Sequence, residues 1–205
     1  MKDQPIRVLA GLILAAGLGL PALAQQEACV VDGESSFRIF VGKSGLFRVF
    51  GHDHVIEARQ IDACARIDPS GRGGSVTLRI PTEGLEVVDP GASDQDRADV
   101  RKTMQEEVLE IGQYPEVLFR SAGVEQGEDG GSLRVTGDLS LHGVTRTVTI
   151  PVTLARLDDG SYRVTGDYEF RQSAFGIKTV RLFGGTISVR DEVRVEFDLS
   201  LRAPR

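Results

Sequence analysis

The sequence has few features of the kinds on which enzymes and nucleic-acid-binding proteins depend. It lacks a nucleophile motif, a phosphate-binding loop and a strong metal signature, so it predicts no catalytic residue and no enzyme activity. It also lacks long runs of like charge, and its formal net charge is −6. A modest acidic balance of this kind argues against a nucleic-acid partner or binding to a charged membrane surface.

The first 24 residues have the three-part layout of a secretory signal. Two basic residues precede an apolar run over 8–20, and small residues follow at Ala22 and Ala24. The run is shorter than the roughly 20 residues that span a bilayer. We therefore expect a signal peptide over 1–24 and one domain over 25–205. The mature protein is expected to be exported, with no stable membrane insertion, and a retained membrane anchor is the alternative.

Cysteine is scarce, with only Cys29 and Cys64 in the chain. In an oxidising compartment an even pair of cysteines more often forms a disulfide than a reactive site, so a Cys29–Cys64 bridge is expected. Free thiols or metal ligation are the alternatives. A bridge closing a loop of about 36 residues stabilises a fold by roughly 3–4 kcal/mol in the chain-entropy view.

Alternation of apolar and polar residues dominates the rest of the chain. In "SLRVTGDLSL", for example, leucine and valine alternate with polar residues over 132–141. Period-two patterning with one apolar face is typical of antiparallel strands around a single interior. Gly137 and Gly166 lie within such strands, where glycine marks bulges or the bends of a closed barrel. The pattern predicts an all-β, antiparallel barrel of about eight strands.

One segment has helical periodicity instead. "SDQDRADVRKTMQEEVLEIGQYP" begins with a capping residue, Ser93 or Asp94. Apolar residues then recur at helical spacing, at Val100, Met104, Val108 and Ile111. A single short helix between strands is therefore expected.

The alternation also predicts which side chains lie inside the barrel, on an inner face without charged residues. Aromatic residues on that face are expected to be wall or core rather than a specific cage. Eight or so strands can enclose either packed side chains or one small ligand, and the alternation does not distinguish the two. The residues expected to line the interior, and to contact a ligand if it holds one, are Phe37, Ile39, Leu78, Ile80, Phe119, Leu139, Leu141, Ile150, Tyr168, Phe170, Phe175 and Phe197.

Two segments resemble a known family. "YPEVLFRSAGVE" is followed by "LRVTGDLSLHGVTRTVTIPVTL", and "RQSAFGI" comes further along the chain. These motifs resemble the YceI-like family of exported bacterial proteins. The resemblance implies a lipocalin-like, extended antiparallel barrel in the periplasm. It also implies that the barrel holds a long isoprenoid or similar apolar chain without doing chemistry on it. The matching positions are Tyr114, Pro115, Phe119, Ser121, Gly137, Asp138, Leu139, His142, Gly143, Val144, Thr145 and Arg146.

The stretch "RVFGHDHVIEA" departs from the family pattern. Its His52 and His54 share one face of a strand, and with His142 they could form a three-histidine metal site. The alternatives are contacts to a ligand's headgroup, made by His52, His54, His142 and Arg146, or purely structural roles. A histidine pair of this spacing alone is a weak metal signal.

Three functional hypotheses follow. The first is a periplasmic binding or carrier protein for an isoprenoid- or quinone-like ligand, with no cofactor besides that ligand. The second is a metal-binding protein or metal-dependent enzyme that uses His52 and His54 with His142. The third is a protein that presents a quinone-like ligand to a membrane oxidoreductase. A homodimer is compatible with all three.

Overall fold

The computed structural model describes residues 26–31, 33–44, 53–68, 74–127, 131–179, 181–182 and 187–204. The predicted signal peptide and His52 lie outside these ranges. One α-helix, α1 (Asp94–Thr103), is followed by a π-helical turn (Met104–Val108), and short 3₁₀ turns cover Thr82–Gly84 and Gln172–Phe175. The strands are β1 (Gln26–Val30), β2 (Ser36–Ser44), β3 (His54–Ala58), β4 (Asp62–Ile67), β5 (Gly74–Pro81), β6 (Leu85–Val87), β7 (Glu116–Gln126), β8 (Leu133–Leu141), β9 (Val144–Arg156), β10 (Tyr162–Arg171), β11 (Arg181–Leu182) and β12 (Ile187–Arg202).

Eight of the strands form a closed antiparallel circuit. Their order is β1-β4-β5-β7-β8-β9-β10-β12, and β1 returns to pair with β12 through Cys29↔Arg202 and Val30↔Leu201. Alternation sets the two faces of each strand. In β8, for example, Val135 and Leu139 are buried while Arg134 and Asp138 are exposed. The prediction of an all-β antiparallel barrel with one short helix is confirmed.

Three further strands continue the sheet from β12. β2 pairs with β12, β3 pairs with β2, and β6 pairs with β3, so these strands add to the wall outside the closed circuit. The chain between β6 and β7 contains α1 and the π-helical turn. The end of the barrel at which this segment lies is called the helix end, and the end with the Cys29–Cys64 pair is called the disulfide end. Within the described ranges, no helix has the length and apolar character needed to span a membrane.

A capping box begins α1. The Ser93 hydroxyl accepts from the backbone N–H of Asp96 at 3.1 Å, and the Asp96 carboxylate accepts from the N–H of Ser93 at 3.3 Å. The π-helical turn then adds one residue to a turn, with the N–H of Leu109 donating to the carbonyl of Met104 at 2.8 Å. This shift brings Leu109 onto the inward face, and Ile111 falls outside it.

The predicted disulfide is confirmed. Cys29 on β1 is directly opposite Cys64 on β4, and the two sulfur atoms are bonded. It therefore joins neighbouring strands of the closed circuit at the point where β1 also pairs with β12.

Candidate functional site

The barrel encloses a cavity of about 700 Å³. Its wall is predominantly apolar, and its size falls in the range of about 300–1,000 Å³ that is typical of small-molecule pockets. The predicted lining residues that contact this cavity are Phe37, Ile39, Leu78, Ile80, Phe119, Leu139, Leu141, Ile150, Tyr168, Phe170 and Phe197. Their contact with a ligand stays a prediction.

Phe175 is placed differently from the other residues of that set. It is 1% exposed and does not line the cavity. Its ring packs edge-to-face on Phe170, with centroids 5.4 Å apart. Phe175 therefore packs behind Phe170, which lines the cavity. It lies off the inner face because the 3₁₀ turn that carries it interrupts the strand alternation.

The lining carries polar groups near both ends, contrary to the expectation of an inner face without charge. Arg66 lies at the disulfide end, while His54 and Asp99 lie at the helix end. Asp99 belongs to α1, so strand periodicity gave no indication of it. The middle of the cavity remains apolar, which leaves the polar groups at its rims.

A histidine–aspartate pair stands at the helix end. Nδ1 of His54 lies 2.6 Å from Oδ2 of Asp89, and the N–H of Val55 donates to Oδ1 at 2.7 Å. Asp89 is only 4% exposed, so its carboxylate is buried but well partnered. The pair holds the imidazole in one orientation. Sequence reasoning missed Asp89, which is 35 residues from His54 and belongs to no motif.

His142 has a different environment, at the turn between β8 and β9. Its Nε2 lies 2.9 Å from Oε2 of Glu110, and its ring packs on Tyr114 at a centroid distance of 4.2 Å. A Cβ atom at Gly143 would lie 2.6 Å from the Tyr114 ring, so the motif needs glycine there. His142 thus fastens the segment after α1 to the β8–β9 turn, and it does not line the cavity.

The metal hypothesis gains no support from this geometry. His54 and His142 pair with different carboxylates, and no group of three metal-ligating side chains occurs in the described part of the chain. His52 lies outside the described residues.

The barrel wall opens between β9 and β10. Their ladder runs from Tyr162↔Arg156 to Gly166↔Val152 and stops there, although both strands continue. The next residue of β9 is Pro151, which has no N–H to donate across the gap. β9 still pairs with β8 beyond this point, so only its pairing with β10 ends there.

The 3₁₀ turn Gln172–Phe175 lies beside this opening. The backbone N–H and the hydroxyl of Ser173 donate to the two carboxylate oxygens of Asp191 at 2.8 and 2.6 Å. These hydrogen bonds lower the pKa of Asp191. From the other side, Nε of Arg146 donates to the carbonyl of Ala174 at 2.5 Å. The "RQSAFGI" motif is therefore hydrogen-bonded to β9 through Arg146 and to β12 through Asp191.

Comparison with known proteins identifies the family. A family model described as YceI-like domain matches residues 32–201. The chain belongs to the YceI-like family. A relative of the YceI-like chain, a UPF0312 protein of Shewanella denitrificans, is 29% identical over 174 residues, covering 81% of this chain and 85% of its own length.

Solved structures support the fold of this YceI-like protein. Burkholderia cenocepacia BcnA has a TM-score of 0.66 at 24% identity, covering 83% of this chain and 98% of its own. A polyisoprenoid binding domain from Saccharophagus degradans has a TM-score of 0.59 at 14% identity, covering 88% and 99%. At these identities the two structures support the barrel architecture alone.

Proposed function

We propose that this protein is exported to the periplasm and holds an isoprenoid- or quinone-like molecule in its barrel without reacting with it. The observation that carries the proposal is the apolar cavity of about 700 Å³ enclosed by the strands. Burying an apolar chain contributes ~0.8 kcal/mol per methylene group, so affinity needs little polar recognition. The polyisoprenoid binding domain of Saccharophagus degradans, with the same fold, supports this choice of ligand class.

Two features of the sequence support export. The layout of residues 1–24 is that of a secretory signal. The Cys29–Cys64 disulfide is the kind of bond that persists in oxidising compartments. Mass measurement of the mature chain tests this part of the proposal, with cleavage expected after Ala24.

Filling the cavity should reduce ligand binding. Leu78 lines the cavity from β5, and Leu78→Trp places an indole ring in the space of the ligand. If that ring displaces about three methylene groups, the affinity for a polyprenol should fall roughly 50-fold. The measurement is the dissociation constant for farnesol, obtained by displacement of the neutral apolar dye N-phenyl-1-naphthylamine.

The control variant is Thr77→Trp, at the neighbouring, exposed position of the same strand. Because its side chain faces away from the cavity, this variant should bind farnesol as the wild type does. Equal affinity of Leu78→Trp and Thr77→Trp, with both proteins folded, would show that farnesol binds elsewhere.

A further inference from the structure

β1 completes the wall of the barrel between β4 and β12 at the disulfide end. It pairs with β4 along most of its length, and with β12 at its last two residues, through Cys29↔Arg202 and Val30↔Leu201. Ala65 of β4 and Leu201 of β12 both line the cavity. β1 therefore closes the wall at a place that the cavity reaches.

The non-covalent contacts on the inner side of β1 are few and small. Ala28 is 1% exposed and belongs to the same buried cluster as Tyr162 and Leu201. The hydroxyl of Tyr162, on β10, donates to Oε1 of Gln26 at 2.9 Å. An alanine buries little apolar area, and a hydrogen bond between neutral groups contributes modestly. The inner side of β1 thus adds little to the stability of its place in the wall.

The connection to β2 allows β1 to move while β2 stays in place. Gly33, between the two strands, has a φ of +78°, a conformation that glycine adopts without strain. After it, the hydroxyl of Ser35 accepts from the N–H of Ser200 at 3.0 Å and fixes the start of β2 on β12. β2 is then paired on both sides, with β12 and with β3. Gly33 is therefore a suitable hinge for β1.

The disulfide that joins β1 to β4 lies on the outer face of the barrel. Cys64 is half-buried and alternates with Ala65, which faces the cavity, and Cys29 lies directly opposite Cys64. The next residues across the sheet on this face are Thr77 on β5 and Arg202 on β12, and both are exposed. Attack on a disulfide requires access of a thiolate to one sulfur atom, and the outer face provides it.

We infer that the Cys29–Cys64 disulfide is a redox switch, whose reduction releases β1 and opens the disulfide end of the cavity. The switch rests on the proposed function, because access to the cavity matters only when the barrel holds a ligand. The β1–β4 bridge is the one covalent bond that holds the released strand to its neighbour.

The reductant is a dithiol, of the kind that a Cys-x-x-Cys protein carries. One of its thiolates attacks a sulfur atom of the bridge, which gives a mixed disulfide and frees the other cysteine. The second thiolate of the reductant then displaces the remaining cysteine. The dithiol becomes a disulfide, and its two electrons, with two protons, end on Cys29 and Cys64.

The test measures how fast a bound molecule leaves the barrel. Protein loaded with N-phenyl-1-naphthylamine is mixed with excess farnesol, and the decay of the dye's fluorescence gives its release rate. Reduction with dithiothreitol should raise this rate about tenfold or more, since a bridge of this kind shifts the equilibrium it constrains by at least that factor. The affinity for farnesol should stay unchanged, because entry and release use the same opening.

Two variants separate the switch from a general loss of stability. The double variant Cys29→Ala, Cys64→Ala should release the dye fast without dithiothreitol and should not respond to it. Val87→Ala keeps the bridge and removes a buried side chain of β6 that does not line the cavity. It should be less stable than the wild type but release the dye at the wild-type rate.

Hydrogen exchange locates the change. On reduction the amides of β1 should exchange faster, while those of β8 stay protected. Equal release rates for the oxidised and reduced protein would overturn the switch and leave the cavity function intact. Faster exchange throughout the barrel, or fast release in Val87→Ala, would show general destabilisation and also overturn it. Failure of the dye and farnesol to bind the oxidised protein would instead reject the proposed function, and the control of access with it.

Discussion

Gly137→Ala is expected to destabilise the protein by about 3 kcal/mol or more, at the upper end of the range for overpacked sites. A Cβ atom there would lie 2.4 Å from the carbonyl oxygen of Arg120 and 2.7 Å from Cζ of Phe119. The first contact is with backbone, so it can be relieved only by moving strand β7. The measurement is the free energy of unfolding from a urea titration.

Gly123→Ala is the matched control. Gly123 lies on β7 near the same register shift, and a Cβ atom there meets nothing within 4 Å. This change should therefore be neutral or slightly stabilising, by up to about 1 kcal/mol, because alanine restricts the unfolded chain. Similar losses of stability in the two variants would contradict the close approach of β7 to Gly137.

Removing the disulfide should also have a large effect. The bond joins residues 35 positions apart, and loop closure of this length is worth roughly 3–4 kcal/mol in the chain-entropy view. We expect the double variant Cys29→Ala, Cys64→Ala to lose that amount of unfolding free energy relative to the oxidised protein. Because the bond joins β1 to β4 at the closure of the barrel, β1 should also exchange its amide hydrogens faster.

A reducing agent provides the control for this prediction. It should lower the stability of the wild type to that of the double variant and leave the double variant unchanged. A wild type whose unfolding midpoint does not change on reduction would show that the bridge does not stabilise the barrel.

The strands and the inward positions could be predicted from the sequence because their signal is local. In β8 the alternation of leucine and valine with polar residues identifies the inner face without knowledge of the neighbouring strands. The disulfide could be predicted for a similar reason, since only one pairing of Cys29 and Cys64 exists. The family motifs then indicated which barrel architecture these strands form.

Features that depend on distant partners could not be predicted in this way. Asp89 pairs with His54 only because folding brings the two residues together. Pro151 was visible in the sequence, but its effect depends on which side of β9 faces β10. The π-helical turn shifted the helix face by one residue, a change that ideal helical spacing does not contain.

The central claim is that the cavity carries an apolar ligand, and native mass spectrometry of the protein recovered from a bacterial periplasm tests it most directly. The account predicts a species heavier than the mature chain, which loses the extra mass on organic extraction and regains it with a polyprenol or quinone. The Leu78→Trp variant should carry less of this mass than Thr77→Trp. Protein that shows only the mass of the chain, and takes up neither compound, would contradict the account.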